Sequence, residues 1–313
     1  MNENGRIGQL AMKLHSLIEQ ATQREEMKVA VAGAEDKEII KAVAEAVMLK
    51  MASFILFGDK ERILELLDNH QQGLAKNERI RIEHAINVSM AAEKAVKTVK
   101  LNQADVLMKG QVETARLLKA VLNKEYGLRT GNLLSHVAVF EVPDYDRLIV
   151  VTDAAMNITP DLQQKAQIIT NAVKVARSIG IDKPKVAPIA AVETVNPAMQ
   201  ATLDAAALSV MNARGQISDC IVDGPFALDN AVSLYAAQAK GINSEVAGKA
   251  DILLVPSIEV GNVLYKSLMY FAKAKVGAVI AGARAPIVLT SRADSAESKL
   301  YSLALAICTA SNK

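Results

Sequence analysis

Between Val276 and Ser298 the chain reads VGAVIAGARAPIVLTSRADSAES, which gathers more anion-seeking groups than a turn or a helix cap requires. An apolar strand ends in a turn carrying Arg284, a second apolar run ends in Thr290-Ser291-Arg292, and a helix opens directly afterwards. The spacing predicts that two guanidiniums, two hydroxyls and a helix amino terminus converge on this segment. Free backbone N–H groups and the helix dipole favour an anion there, and arginine adds a planar fork that fits phosphate oxygens in pairs. The expected ligand is a phosphoryl group. Asp294 or Ser295 is the expected helix cap, and Asp294 with Glu297 has capping-box spacing. Capping alone would account for Asp294 and Ser295, but it requires neither a second arginine nor Ser291.

Three further strand ends carry polar groups, and the carboxyl ends of strands are where open α/β sheets bind ligands. In Lys109-Gly110-Gln111-Val112-Glu113-Thr114 a glycine would let the backbone approach an anion closely, with Lys119 a turn and a half farther on. Asp223-Gly224-Pro225 followed by Asp229 is ordinary turn chemistry, and its two carboxylates could equally cap the next helix. Pro256-Ser257-Ile258-Glu259-Val260-Gly261-Asn262 places Gly261 and Asn262 where a helix begins, with Tyr265 and Lys266 in its first turns.

The elements that must carry these groups alternate almost throughout. Strands are expected at 28–32, 53–57, 80–82 and 104–108, with helices at 36–51, 60–68 and 90–99 and one running to Leu122. Strand-like runs at 137–142 and 147–152 flank Pro143-Asp144-Tyr145-Asp146, a hairpin turn sequence. Beyond it come helices at 160–179, 199–213 and 229–239 and strands at 185–190, 220–223, 251–255 and 277–281. This βαβ alternation predicts mostly parallel sheets. The chain's 313 residues are enough for two domains. Residues 1–138 with 279–313 are expected to form a discontinuous first α/β domain and 139–278 the second, with the hairpin at the seam.

Composition narrows the chemistry. Half the residues are hydrophobic, tryptophan is absent and aromatics make up 4%, which suits Ala-lined helices on buried strands. A net charge of +2 with few rings to stack bases argues against nucleic-acid binding. The amino-terminal stretch, with helical spacing at Ile7, Leu10, Leu14 and Leu17, resembles neither a signal peptide nor a membrane span, so a cytoplasmic protein is expected. Cys220 and Cys308 form neither a zinc pattern nor a disulfide framework and are expected to be buried thiols. The histidines His15, His70, His84 and His136 do not pair at metal spacing. A Gly-x-Gly-x-x-Gly fingerprint, a P-loop and a Gly-x-Ser-x-Gly elbow are missing, which leaves phosphate handling without a metal motif.

From Lys28 onward the chain resembles the phosphate acyltransferase family that includes phosphate acetyltransferase and phosphate butyryltransferase. The resemblance rests on ADVLMKGQVETARLLKAVL, VVTDAAMNITPD, ADILLVPSIEVGNVLYKSL and GARAPIVLTSRADSAE. It implies a two-domain α/β fold similar to isocitrate and isopropylmalate dehydrogenases, with an interdomain cleft, and a homodimer. It also implies reversible acyl transfer between coenzyme A and inorganic phosphate through a ternary complex, giving an acyl phosphate and needing no metal or organic cofactor.

On the residues that match, the resemblance implies that Arg292 holds phosphate and Ser291 hydrogen-bonds the thioester. Arg284, Gly110 and Thr114 match further family positions, and Lys119 stands where acetyltransferases place a phosphate-binding arginine. Lys109, Asn262 and Lys266 are candidate contacts for coenzyme A. Acetyltransferases have an aspartate as the proposed base where this chain has Ser298. Asp294, one turn earlier, is the expected replacement, with proton transfer assisted by the reacting phosphate as the alternative. Together with the RADSAES wording, these departures resemble the butyryltransferase branch, so butanoyl-CoA or a short branched acyl-CoA is the expected substrate and acetyl-CoA the alternative. Two other classes compete: an NAD-dependent decarboxylating dehydrogenase, which would need clustered aspartates for a metal, and a non-catalytic coenzyme A-binding protein.

Overall fold

The computed structural model describes residues 13–290 and 294–310. The chain folds as two compact α/β units, one made of Leu17–Leu134 with the residues from Gly277 on, the other of Ser135–Val276 with the residues up to Ser16.

The first stretch runs α1 (Leu14–Thr22), β1 (Met27–Ala32), α2 (Lys37–Met48), β2 (Ala52–Gly58), α3 (Lys60–His70), β3 (Ile80–His84), α4 (Val88–Lys100), β4 (Val106–Lys109) and α5 (Thr114–Val121). Its helices begin where a short polar side chain can satisfy an orphan backbone donor. Asp36 accepts from Ile39 N, Asp59 from Arg62 N and Asn87 from Met90 N, and each helix begins within two residues of its expected start.

The second stretch runs β5 (Ser135–Glu141), β6 (Leu148–Thr152), α6 (Leu162–Ser178), β7 (Lys185–Pro188), α7 (Gln200–Ala213), β8 (Ile221–Val222), α8 (Leu228–Val232), α9 (Leu234–Ala239), β9 (Ile252–Leu254) and α10 (Ile258–Tyr270). The chain then returns through β10 (Lys275–Ala281), β11 (Ile287–Val288) and α11 (Ala296–Thr309).

In the first unit the strand order is β3-β2-β1-β4-β11-β10, parallel except for β10 against β11. In the second it is β5-β6-β9-β7-β8, parallel except for the β5–β6 hairpin that the Pro143-Asp144 turn predicts. Helix α11 is buried all round, from Lys299 to Cys308. Strand β10 passes so close that a Cβ on Gly277 would sit 2.9 Å from the Tyr301 backbone, and Ala278 N donates to Ser302 Oγ at 3.0 Å.

The helix expected over 229–239 is two helices. Ser233 leaves helical geometry (φ −118°, ψ 115°), closes α8 and accepts from Ala236 N to open α9. The break is held by Gly248, where a Cβ would lie 2.4 Å from Leu234 Cα.

Candidate functional site

Strands β2 and β4 lie on opposite sides of β1, and the crevice at such a reversal is where open sheets bind ligands. The loops that leave β1 and β4 are clipped together. Gly110 N donates to Ala32 O at 2.8 Å and Gln111 N to Gly33 O at 2.5 Å. A Cβ on Gly110 would lie 1.9 Å from Gly33 O, so only glycine allows this approach. Gly33 itself has φ +71° and would meet Val112 at 2.9 Å.

Lys109 ends β4 with its ammonium turned inward, 5% exposed, donating to Gly110 O at 3.1 Å and Val112 O at 3.2 Å. Those bonds hold the loop's carbonyls. Thr114 opens α5 in the exposed first turn, and Lys119 is exposed in its last turn. Five residues of helix put these two side chains about 140° apart, so they face different sides of α5.

Beside the loop lies a cavity of about 700 Å³ lined by Glu35, Asn87, Ser89, Gln111, Glu113 and Arg116. Arg116 Nη1 donates to Ser89 Oγ at 2.5 Å, and Glu35 accepts from Asp59 N at 2.5 Å. Sequence reasoning passed over Glu35, Ser89 and Arg116. The usable signal was the Asn87 cap followed by a serine, which places hydroxyl and amide groups at a helix start.

The expected convergence of Arg284 with the Thr290 segment is not what the strands build. Ile287 and Val288 pair with Leu107 and Met108 in parallel, so Thr290 leaves at the carboxyl end of β4, beside Lys109. Arg284 lies on the far side of β11, at the amino end of β4, with Nη2 on Asn102 Oδ1 at 3.3 Å and N on Leu128 O at 2.9 Å. A strand therefore separates two groups that sequence proximity had joined.

Ser291 and Arg292 lie outside the described residues. Beyond them the cap is Ser295, whose hydroxyl accepts from Ser298 N at 3.1 Å and lies 3.2 Å from Ser298 Oγ. The Asp294–Glu297 capping box does not form, because the helix begins one residue later and Glu297 accepts from the Tyr301 hydroxyl at 3.1 Å instead. Asp294 is half-buried, and its carbonyl accepts from the Lys299 ammonium.

In the other unit, α10 begins at Ile258, earlier than the Gly-Asn entry suggested. Ser257 takes extended geometry, and its hydroxyl, with the backbone N–H of Glu259, holds the Glu259 carboxyl below the usual range. Gly261 is therefore inside the helix, where a Cβ would lie 2.6 Å from Asp153 O. The platform it rests on is set by buried Asp153, which accepts from Ala155 N and Met156 N at 2.9 Å and from Asn157 Nδ2 at 2.6 Å. Asn262 and Lys266 are exposed at i and i+4 on one face, and the Lys266 ammonium lies 5.6 Å from the Tyr265 ring centroid. Asp223 and Asp229 each accept a backbone N–H from the next residue, at Gly224 and Asn230, and neither is the N-cap of α8.

Both cysteines are buried, and burial pushes the Cys220 thiol up to about 11 and raises that of Cys308. Thiolate nucleophiles need the opposite shift.

Fold and loops together define an α/β protein of mostly parallel strands with a glycine-clipped loop pair beside a polar cavity at its strand ends. The family described as phosphate acetyl/butaryl transferase matches residues 69–307. A probable phosphate butyryltransferase of Bacillus subtilis (strain 168) is 58% identical over 297 residues, covering 95% of this chain and 98% of its own. A phosphate acetyltransferase of Thermotoga maritima is 46% identical, covering 94% of this chain and 98% of its own. Among solved structures, a branched-chain phosphotransacylase from Enterococcus faecalis V583 superposes with a TM-score of 0.81 at 37% identity, covering 90% of this chain and 98% of that one. The chain belongs to the phosphate acetyl/butaryl transferase family.

Proposed function

We propose that the protein catalyses reversible transfer of a short acyl group between coenzyme A and inorganic phosphate, with butanoyl-CoA the preferred thioester and acetyl-CoA the alternative. The observation that carries this reading is family membership, with greater identity to a butyryltransferase than to an acetyltransferase. Phosphate attacks the thioester carbonyl, whose oxygen gains charge that fixed donors stabilise. In this reading Arg292 orients phosphate, Ser291 hydrogen-bonds the thioester, the adduct expels coenzyme A as its thiolate, and that sulfur receives a proton from Asp294 or from the phosphate itself; in the reverse direction the same group takes the thiol proton. Gly110 and Thr114 shape the anion loop, while Lys119, Asn262 and Lys266 offer contacts to coenzyme A. Lys109 serves by holding the loop rather than by reaching the substrate, and Arg284 is left out because β11 carries it away from Thr290.

No resident cofactor is invoked, since coenzyme A and phosphate are both substrates. A cytoplasmic homodimer with the two-domain architecture of the isocitrate and isopropylmalate dehydrogenases belongs to the same proposal. Exposed Val260, Val263, Tyr270 and Phe271 on and just after α10 support a self-association surface. Among the described residues no helix is long and apolar enough to cross a membrane.

The test is phosphate-dependent release of coenzyme A thiol from acetyl-, butanoyl- and isobutanoyl-CoA. Faster release from the four-carbon thioesters is expected; faster release from acetyl-CoA overturns the substrate preference, and no release overturns the reaction. Arg292→Ala should remove most activity with the fold intact, and near-normal turnover would sink the phosphate assignment.

A further inference from the structure

Among the described residues three lysines are buried: Lys109, Lys165 and Lys299. A buried ammonium persists only where something offsets its lost hydration. Lys165 has a carboxylate, with Nζ 2.5 Å from Asp204 Oδ2. Lys109 donates to the two loop carbonyls of Gly110 and Val112. Lys299, 3% exposed, donates to the Asp294 carbonyl and forms no ion pair with a carboxylate of the described residues.

Its place in the helix adds to the imbalance. Lys299 lies one turn into α11, where the positive end of the dipole repels a cation. The cap beside it is neutral, being the Ser295 and Ser298 hydroxyls. Glu297, in the same first turn, is exposed and engaged with Tyr301. Burial and dipole both oppose this charge, at a helix start whose free donors favour an anion.

We propose that Lys299 is a phosphate-binding residue. One N–H of its ammonium fixes the Asp294 carbonyl, and its charge and remaining donors face inorganic phosphate, or the phosphoryl end of the acyl phosphate, at the amino end of α11. This rests on the acyl-transfer reading above.

Lys299→Gln keeps a donor for the Asp294 carbonyl and removes only the charge. With butanoyl-CoA and phosphate varied separately, the expected result is a KM for phosphate raised at least tenfold, a KM for butanoyl-CoA within twofold of wild type, and a Tm no lower than wild type. Lys299→Arg restores the charge and should recover most of the phosphate affinity. An unchanged phosphate KM in the Gln variant, or equal rises in both KM values, overturns the proposal. Should the Gln variant not fold, wild-type enzyme carrying 13C at lysine Cε decides, with the Lys299 signal assigned by its loss in the Arg variant. That signal must shift when inorganic phosphate alone is added, and a silent signal overturns the assignment. Wild-type enzyme without phosphate-dependent thiol release would instead sink the acyl-transfer reading itself.

Discussion

Replacing Gly110 by alanine tests the clip between the β1 and β4 loops. The added Cβ would start 1.9 Å from Gly33 O. Non-bonded contacts settle at roughly 3.5 Å, so one loop must retreat by roughly 1.5 Å. Neither side offers a flexible side-chain end to absorb this, since the nearest atoms are the Gly33 and Ala32 backbones. The retreat stretches both the Gly110 N–Ala32 O and Gln111 N–Gly33 O hydrogen bonds. Two such bonds contribute about 1 kcal/mol each, and overpacking adds about 1–3 kcal/mol, so the expected loss is about 3–5 kcal/mol. Urea denaturation followed by far-UV circular dichroism measures it as a lower midpoint at constant slope. Gly131→Ala is the control: its Cβ meets nothing within 4 Å, and only its φ of +89° opposes substitution, at about 1–2 kcal/mol. Turnover of Gly110→Ala should fall at least tenfold, because a loop moved by about 1 Å misplaces whatever it holds. A variant within about 1 kcal/mol of wild type with normal turnover would refute the close approach.

Lys165→Met strands Asp204 as a buried carboxylate and should cost about 3–5 kcal/mol, while Lys165→Met with Asp204→Leu should recover most of that; a double variant as unstable as the single would contradict the pairing. Asp251 is raised in pKa chiefly by burial, against the opposing effects of Lys185 N–H and Arg147. A raised pKa means the folded state holds the proton more tightly, so ionised Asp251 costs stability once pH exceeds its unfolded pKa. Asp251→Asn keeps an acceptor for Lys185 N and should therefore raise Tm by a few degrees at pH 7, a gain that vanishes as pH falls to about 4; a lower Tm at neutral pH tells against this account. With its thiol near 11, Cys220 should react slowly with iodoacetamide at pH 7.5 and about tenfold faster per pH unit up to that value, followed by peptide mass spectrometry; a rate independent of pH would contradict the burial argument.

Most of the element order was legible because apolar periodicity and small polar caps are local signals. Asp36, Asp59, Asn87 and Asp161 each mark a helix start within a residue or two. What failed was local evidence standing in for tertiary geometry. Arg284 and Thr290 are six positions apart in sequence, yet a strand crossing divides them, and only the pairing of Ile287 and Val288 with β4 reveals it. Gly261 read as a helix start because glycine usually ends or begins elements, whereas its reason is the close pass of Asp153. Nothing in the residues around Lys299 signals its burial, which depends on α2, β4, β10 and β11 packing around α11.

The buried position of α11 also bears on the order in which the protein is made. Strands β1 to β4 leave the ribosome first, yet their sheet lacks β10, β11 and α11 until the last part of the chain emerges. The intervening segment carries β5 to β9, so that sheet can begin to fold while the earlier unit still waits. During that interval the hydrogen-bonding edge of β4 that later pairs with Ile287 and Val288 stays open. Slow translation of the final segment would lengthen that exposure and leave the open β4 edge free to pair with the wrong strand.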